Sequence, residues 1–152
     1  MTDNAFSRGL GPLAPGATRI AARLIDAAVV LTVFSALRSV FDNGLTEAPS
    51  LATSLATLAF AFGYEVGMVA TRGGTLGKLI LGLRVTDETE ATPPSVRTSV
   101  MRWLPNVVAA VPFIGPIIAL ALVLASLIWI FTDSERRSIF DKTAMTHVVS
   151  VR

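Results

Sequence analysis

The chain has 152 residues, enough for one domain and hardly two, and it is 52% hydrophobic but only 16% charged. An average soluble domain carries about 25% charged residues, so a water-soluble monomer is excluded on composition, and a mean hydropathy of +0.62 agrees. The 13 basic residues against 11 acidic ones are too balanced for a nucleic-acid binder, and the absence of cysteine removes disulfides, thiolate metal sites and thiol nucleophiles.

A transmembrane helix needs about 20 apolar residues. Residues 1–18 are polar and rich in glycine and proline, with no secretory signal pattern, and read as an N-terminal tail. The first expected span is Ile20–Phe41, anchored by Arg19 and Arg23. The second is Leu51–Thr71, with Ala52, Ala56, Ala59, Gly63 and Gly67 forming a small-residue stripe. Such stripes allow close helix packing at the Gly63–Gly67 step, against a neighbour in the same chain or against a partner protein, and the same-chain neighbour is favoured. Residues 73–78, G-G-T-L-G-K, lack the spacing of a phosphate-binding loop. A short interfacial helix over Leu76–Leu83 fits them better. Thr86–Pro94 reads as a solvated loop.

The last apolar region, Leu104–Phe131, is too long for one straight helix and too short for two comfortable ones. Pro112 and Pro116 predict a turn at 112–116. One arm then runs from about Val96, kinked at Pro105, with Arg97 and Arg102 snorkelling to the surface. The other covers Ile117–Thr132. Trp103 and Trp129 take the positions of interfacial anchors. Basic residues flank the first span, the 72–102 connection and the C-terminal tail, whereas the Asp42–Ser50 connection holds only acids. The positive-inside rule therefore favours four membrane segments with both termini cytoplasmic, in an all-α bundle. A single kinked third span is the alternative.

Two acids lie inside spans, where an uncompensated charge costs roughly 2.5–3.5 kcal/mol. Asp26 follows Arg19 by two helical turns and shares its face with Arg23, and Glu65 precedes Arg72 by the same interval. Arg19, Arg23, Asp26, Glu65 and Arg72 thus form an expected charge cluster at the cytoplasmic end. An ion-pair brace is favoured over a proton or cation pathway, because no other span supplies a third acid. The lone His147 reads as a bystander in the tail. No catalytic triad, cofactor motif or metal-ligand set is present, so neither an enzyme nor a cofactor is expected.

R-I-A-A-R-L-I-D at 19–26, G-G-T-L-G-K-L-I-L-G-L-R-V at 73–85 and R-R-S-I-F-D-K-T-A-M-T-H-V-V at 136–149 together resemble the RDD family of prokaryotic integral membrane proteins. The resemblance runs over residues 19–149 and leaves 150–152 as a short end. It maps the signature arginine to Arg19, with Arg23 as a second candidate, and the two aspartates to Asp26 and Asp141. Gly77, Lys78 and Thr146 fall in its other motifs, and Met145 stands where a glycine or small residue is usual. It implies a multi-pass plasma-membrane protein of unassigned biochemistry, some of whose relatives have been proposed to exchange sodium for protons. Two functions follow. One is an accessory or scaffold protein, held in the lipid bilayer with a larger complex or as a homo-oligomer. The other is a cation/proton antiporter titrating Asp26 and Glu65.

Overall fold

A computed structural model describes residues 11–42, 48–87, 93–108, 114–133 and 136–151. Two long helices come first, α1 (Gly16–Phe41) and α2 (Leu51–Arg72), followed by a single turn, α3 (Leu76–Ile80). A strand, β1 (Leu83–Asp87), precedes α4 (Val96–Trp103), α5 (Pro105–Val108) and the apolar α6 (Gly115–Thr132). A short α7 (Ile139–Ala144) leads into β2 (Thr146–Ser150).

Local chemistry sets most of these boundaries. Ser50 and Ser95 cap α2 and α4 by accepting the amides of Thr53 and Thr98. Gly73 ends α2 with φ of 71°, the left-handed conformation open to a residue without Cβ. Ser138 and Asp141 cap α7 reciprocally, each side chain accepting from the other's backbone amide. Pro105 cannot donate to the helix ladder, and α4 gives way to α5 at Leu104. Of the expected 112–116 turn, residues 112 and 113 lie outside the described residues, and the chain turns at Ile114 before α6 begins.

Two helical stretches are long and apolar enough to cross a membrane, Gly16–Phe41 and Leu51–Ile80, the second made of α2 and α3 with the turn at residues 73–75 between them. Their surfaces carry large exposed apolar side chains, among them Leu31, Leu51 and Leu55, and α6 does the same with Ile117, Leu120 and Ile128. In water such faces would be a liability, whereas lipid covers them at no cost.

The all-α expectation needs correction. β1 and β2 pair antiparallel from Leu83–Ser150 to Asp87–Thr146, so residues far apart in sequence close a two-stranded ribbon. Leu13 adds a bridge to Val149, and the Ala14 amide donates to the Val148 carbonyl at 3.0 Å. The segment before residue 19 is therefore docked from Leu13 onward, and the chain beyond 149 completes β2. The small core lies beneath this ribbon, where Ala14, Ala22, Val69, Leu83, Val85 and Val148 pack together. The helix expected over Leu76–Leu83 stops at Ile80 because Gly82, with positive φ, turns the chain into β1. Thr86 and Asp87, expected in a loop, belong to that strand, while 88–92 lie outside the described residues.

Candidate functional site

The site lies where the ribbon, α3 and α7 meet the Arg19 end of α1 and the Glu65 end of α2. Asp26, one residue type lipid would reject, faces inward from α1 and is buried. Its Oδ1 accepts the Tyr64 hydroxyl at 2.7 Å and the Gly77 amide at 2.8 Å, and its Oδ2 accepts the Thr75 hydroxyl at 2.6 Å. Tyr64 in turn accepts the Leu76 amide at 3.1 Å. Thr75 makes no capping bond of its own to α3, so a carboxylate from another helix supplies the cap. Asp26 forms no ion pair among the described residues; three neutral donors stabilise its charge.

Gly77 makes this contact possible. A Cβ there would stand 2.1 Å from the Ala22 carbonyl oxygen, so only glycine lets α3 reach α1.

The second aspartate has a different environment. Asp141 is buried, and its Oδ2 accepts Arg19 Nη1 at 3.3 Å together with the Ser138 hydroxyl at 2.8 Å and the Ser138 amide at 3.0 Å. Its Oδ1 pairs with Arg102. Burial pushes the Asp141 carboxyl up, but Arg102, Arg19 and the Ser138 hydrogen bonds outweigh it and hold the group below the usual carboxylate range. Arg19 also donates to the Arg136 carbonyl at 2.6 Å and the Val148 carbonyl at 2.8 Å, fastening α1 to the segment just before α7 and to β2. Arg102 reaches the Thr146 hydroxyl at 3.2 Å from α4.

Between these two aspartates, Arg23 Nη1 pairs with Glu65 Oε1 at 3.0 Å, linking α1 to α2. The Arg23 guanidinium lies 5.4 Å from the centre of the Phe140 ring. Cavities of about 420 and 270 Å³ flank this pair, and both are lined by Arg23 and Glu65.

The expected cluster is thus assembled with different pairings. Arg19, Arg23, Asp26 and Glu65 converge, but Arg72 stands exposed at the end of α2 and takes no part in the cluster. Its carbonyl, not its side chain, is used, accepting from Arg84. Helical phase put Arg72 below Glu65, but an inter-helix partner was nearer. Arg102, expected to snorkel, is buried against Asp141, and Trp103 is buried edge-on against Phe62, with ring centres 4.9 Å apart, instead of anchoring at an interface. His147 is buried within β2. Gly63 and Gly67 are not packed against any of the described residues: a Cβ at either meets nothing among them within 4 Å.

Tyr64, Thr75, Arg102 and Ser138 are the site residues that the sequence did not disclose. Ser138 alone had a readable signal, the S-x-x-D spacing of a capping box. A second polar knot at the far end of α1 was also missed. There Asp42 accepts the Thr53 hydroxyl at 2.9 Å and pairs with Arg38 at 3.2 Å, joining α1 to α2.

Apolar helices of spanning length, braced at one end by an arginine and two aspartates, define a helical membrane protein. The sequence matches the RDD family over residues 13–145, most of the chain, and the protein belongs to that family. Comparison with curated proteins found no match, and neither did comparison with solved structures.

Proposed function

We propose that this protein is a non-enzymatic accessory or scaffold component of the plasma membrane. It crosses the bilayer several times, with both termini in the cytoplasm, and packs beside a larger membrane complex or further copies of itself. The observation that carries this reading is the use made of Asp26. All three of its hydrogen bonds hold α3 against α1 and α2, the role of a clamp. A carboxylate that must load and release an ion is poorly served by three donors at 2.6–2.8 Å, each a charge-assisted bond. The uncovered Gly63–Gly67 face of α2 leaves room for a neighbouring helix.

The test is affinity purification of the full chain in a mild detergent, with the stoichiometry of co-purifying protein measured. A fixed-ratio partner or a defined homo-oligomer is expected, and a monodisperse monomer without partner refutes the reading. Cation/proton exchange is the second reading, favoured by one observation: Glu65 lines both cavities. Sodium-driven proton flux in proteoliposomes that is lost in Glu65→Gln would establish it in place of the accessory role. Flux no greater than that of empty vesicles would remove it.

A further inference from the structure

Among the described residues, Lys78 is the one cation lining the larger cavity that forms no ion pair; Glu65 and Asp26 act on it only from beyond contact distance. Its side chain is buried, it forms no ion pair among the described residues, and its Nζ donates only to the Thr75 hydroxyl at 3.3 Å. That hydroxyl is itself committed to Asp26. A buried ammonium with one neutral partner is costly unless an anion reaches it.

The larger cavity offers the place for that anion. Arg19, Arg23, Lys78 and Arg102 line it against only two carboxylates, Glu65 and Asp141. Both carboxylates are already paired with arginines, and with the Asp26 carboxylate behind Thr75 counted as well, the cluster keeps one positive charge in excess. Ser126 lines it from α6 with a buried hydroxyl that has no hydrogen-bond partner among the described residues, and the buried Arg102 Nε is likewise unsatisfied among them. The remaining wall is apolar, formed by Leu24, Ala27, Val123 and Leu127. Leu24 and Val123 are 67% and 50% exposed, so this wall runs out onto the lipid-facing surfaces of α1 and α6.

We propose that the cavity binds an anionic phospholipid, its phosphate headgroup meeting Lys78 and Ser126 and an acyl chain lying along the Leu24–Val123 wall. A free anion would satisfy the cations but gain nothing from the apolar wall. A neutral lipid would fill the wall and leave the surplus charge unmet. The site holds whether the chain works alone or beside a partner, so its test is independent of the accessory role.

The experiment titrates the purified full chain in neutral detergent with phosphatidylglycerol, with phosphatidylcholine of the same acyl chains, and with inorganic phosphate. Native mass spectrometry reads binding, and tryptophan fluorescence reads thermal unfolding. Phosphatidylglycerol is expected to bind about tenfold or more tightly than phosphatidylcholine, and Lys78→Gln to lower its affinity about fivefold, the effect of one basic residue on an anionic lipid. Ala27→Phe fills the cavity without removing a hydrogen bond and should abolish the preference while leaving the unfolding temperature in phosphatidylcholine unchanged. If Lys78→Gln fails to fold, Ala27→Phe decides alone. Equal binding of the two lipids, displacement of phosphatidylglycerol by equimolar phosphate, or wild-type binding by folded variants overturns the proposal.

Discussion

Replacing Gly77 by alanine sets two physical effects in opposition. Within a helix, glycine to alanine is worth about 0.5–1 kcal/mol of added stability, because alanine loses less backbone entropy. Here the new Cβ would stand 2.1 Å from the Ala22 carbonyl oxygen and 3.0 Å from Asp26 Oδ1. Ordinary carbon–oxygen contacts begin near 3.3 Å, so α3 must retreat from α1 by about an ångström. The Gly77 amide, now 2.8 Å from Asp26, then moves out of good hydrogen-bonding range. Losing a bond to a charged acceptor costs about 1.5–3 kcal/mol, and the displaced packing adds about 1–3 kcal/mol. The net expectation is a destabilisation of about 1.5–5.5 kcal/mol, a fall in unfolding temperature of about 3–22 °C for a chain of this size. Tryptophan fluorescence during thermal unfolding of the detergent-solubilised protein measures it. Gly63→Ala and Gly67→Ala are the controls, since a Cβ at either position meets nothing within 4 Å. Within the monomer propensity alone then acts, and each should raise its unfolding temperature by about 1–4 °C. An unfolding temperature for Gly77→Ala within 2 °C of wild type, or an equal loss in the controls, would refute the close approach of α3 to α1.

Acid stability follows from Asp141. Its carboxyl is held below the usual range in the folded protein, so its contribution is complete above the unfolded value near 3.9 and disappears as pH falls through the folded value. Unfolding temperature should be flat from pH 8 to 5 and fall below about pH 4, and Asp141→Asn should weaken that acid dependence while destabilising the protein at neutral pH by about 3–5 kcal/mol. Met145 occupies the left-handed C-cap of α7 with φ of 51° and is exposed, so Met145→Gly should relieve strain without losing packing. A gain of about 1 kcal/mol, seen as a rise of about 2–4 °C in unfolding temperature, is expected; no rise would show that the φ is not strained.

The long helices were legible because their signal is local: apolar runs bounded by arginines predicted α1 and α2 to within a few residues. Asp26, Gly77 and Asp141 were legible as positions but not as partners. Helical phase placed Arg19 beside Asp26 and Glu65 beside Arg72, yet in the fold Arg19, Asp26 and Glu65 find partners on other elements and Arg72 is left outside the cluster. Periodicity along one helix carries no information about which helix lies opposite. The ribbon was hidden for the related reason that five-residue strands give short alternating patterns, and Leu83–Asp87 pairs with a segment near the other end of the chain. Met145 shows local strain becoming intelligible only with the fold: a small residue suits that position because the backbone there is left-handed.

These pairings divide Arg19, Asp26 and Asp141 into two independent devices. Arg19 and Asp141 share a bond across α1 and α7, whereas Asp26 works seven residues further along α1, about 10 Å in helix rise, on α3. Double-mutant cycles distinguish this arrangement from a single network. Arg19→Gln and Asp141→Asn should couple by about 1–3 kcal/mol, because each variant removes the same contact. The buried partner left behind makes each single change costly, and the second change then adds little. Arg19→Gln and Asp26→Asn should instead be additive within about 0.5 kcal/mol, since they share no hydrogen-bond partner. Unfolding free energies of the singles and doubles in one detergent supply both cycles. Coupling of Arg19 to Asp26 as strong as its coupling to Asp141 would mean that the arginine serves both aspartates, and the two-device account would fail.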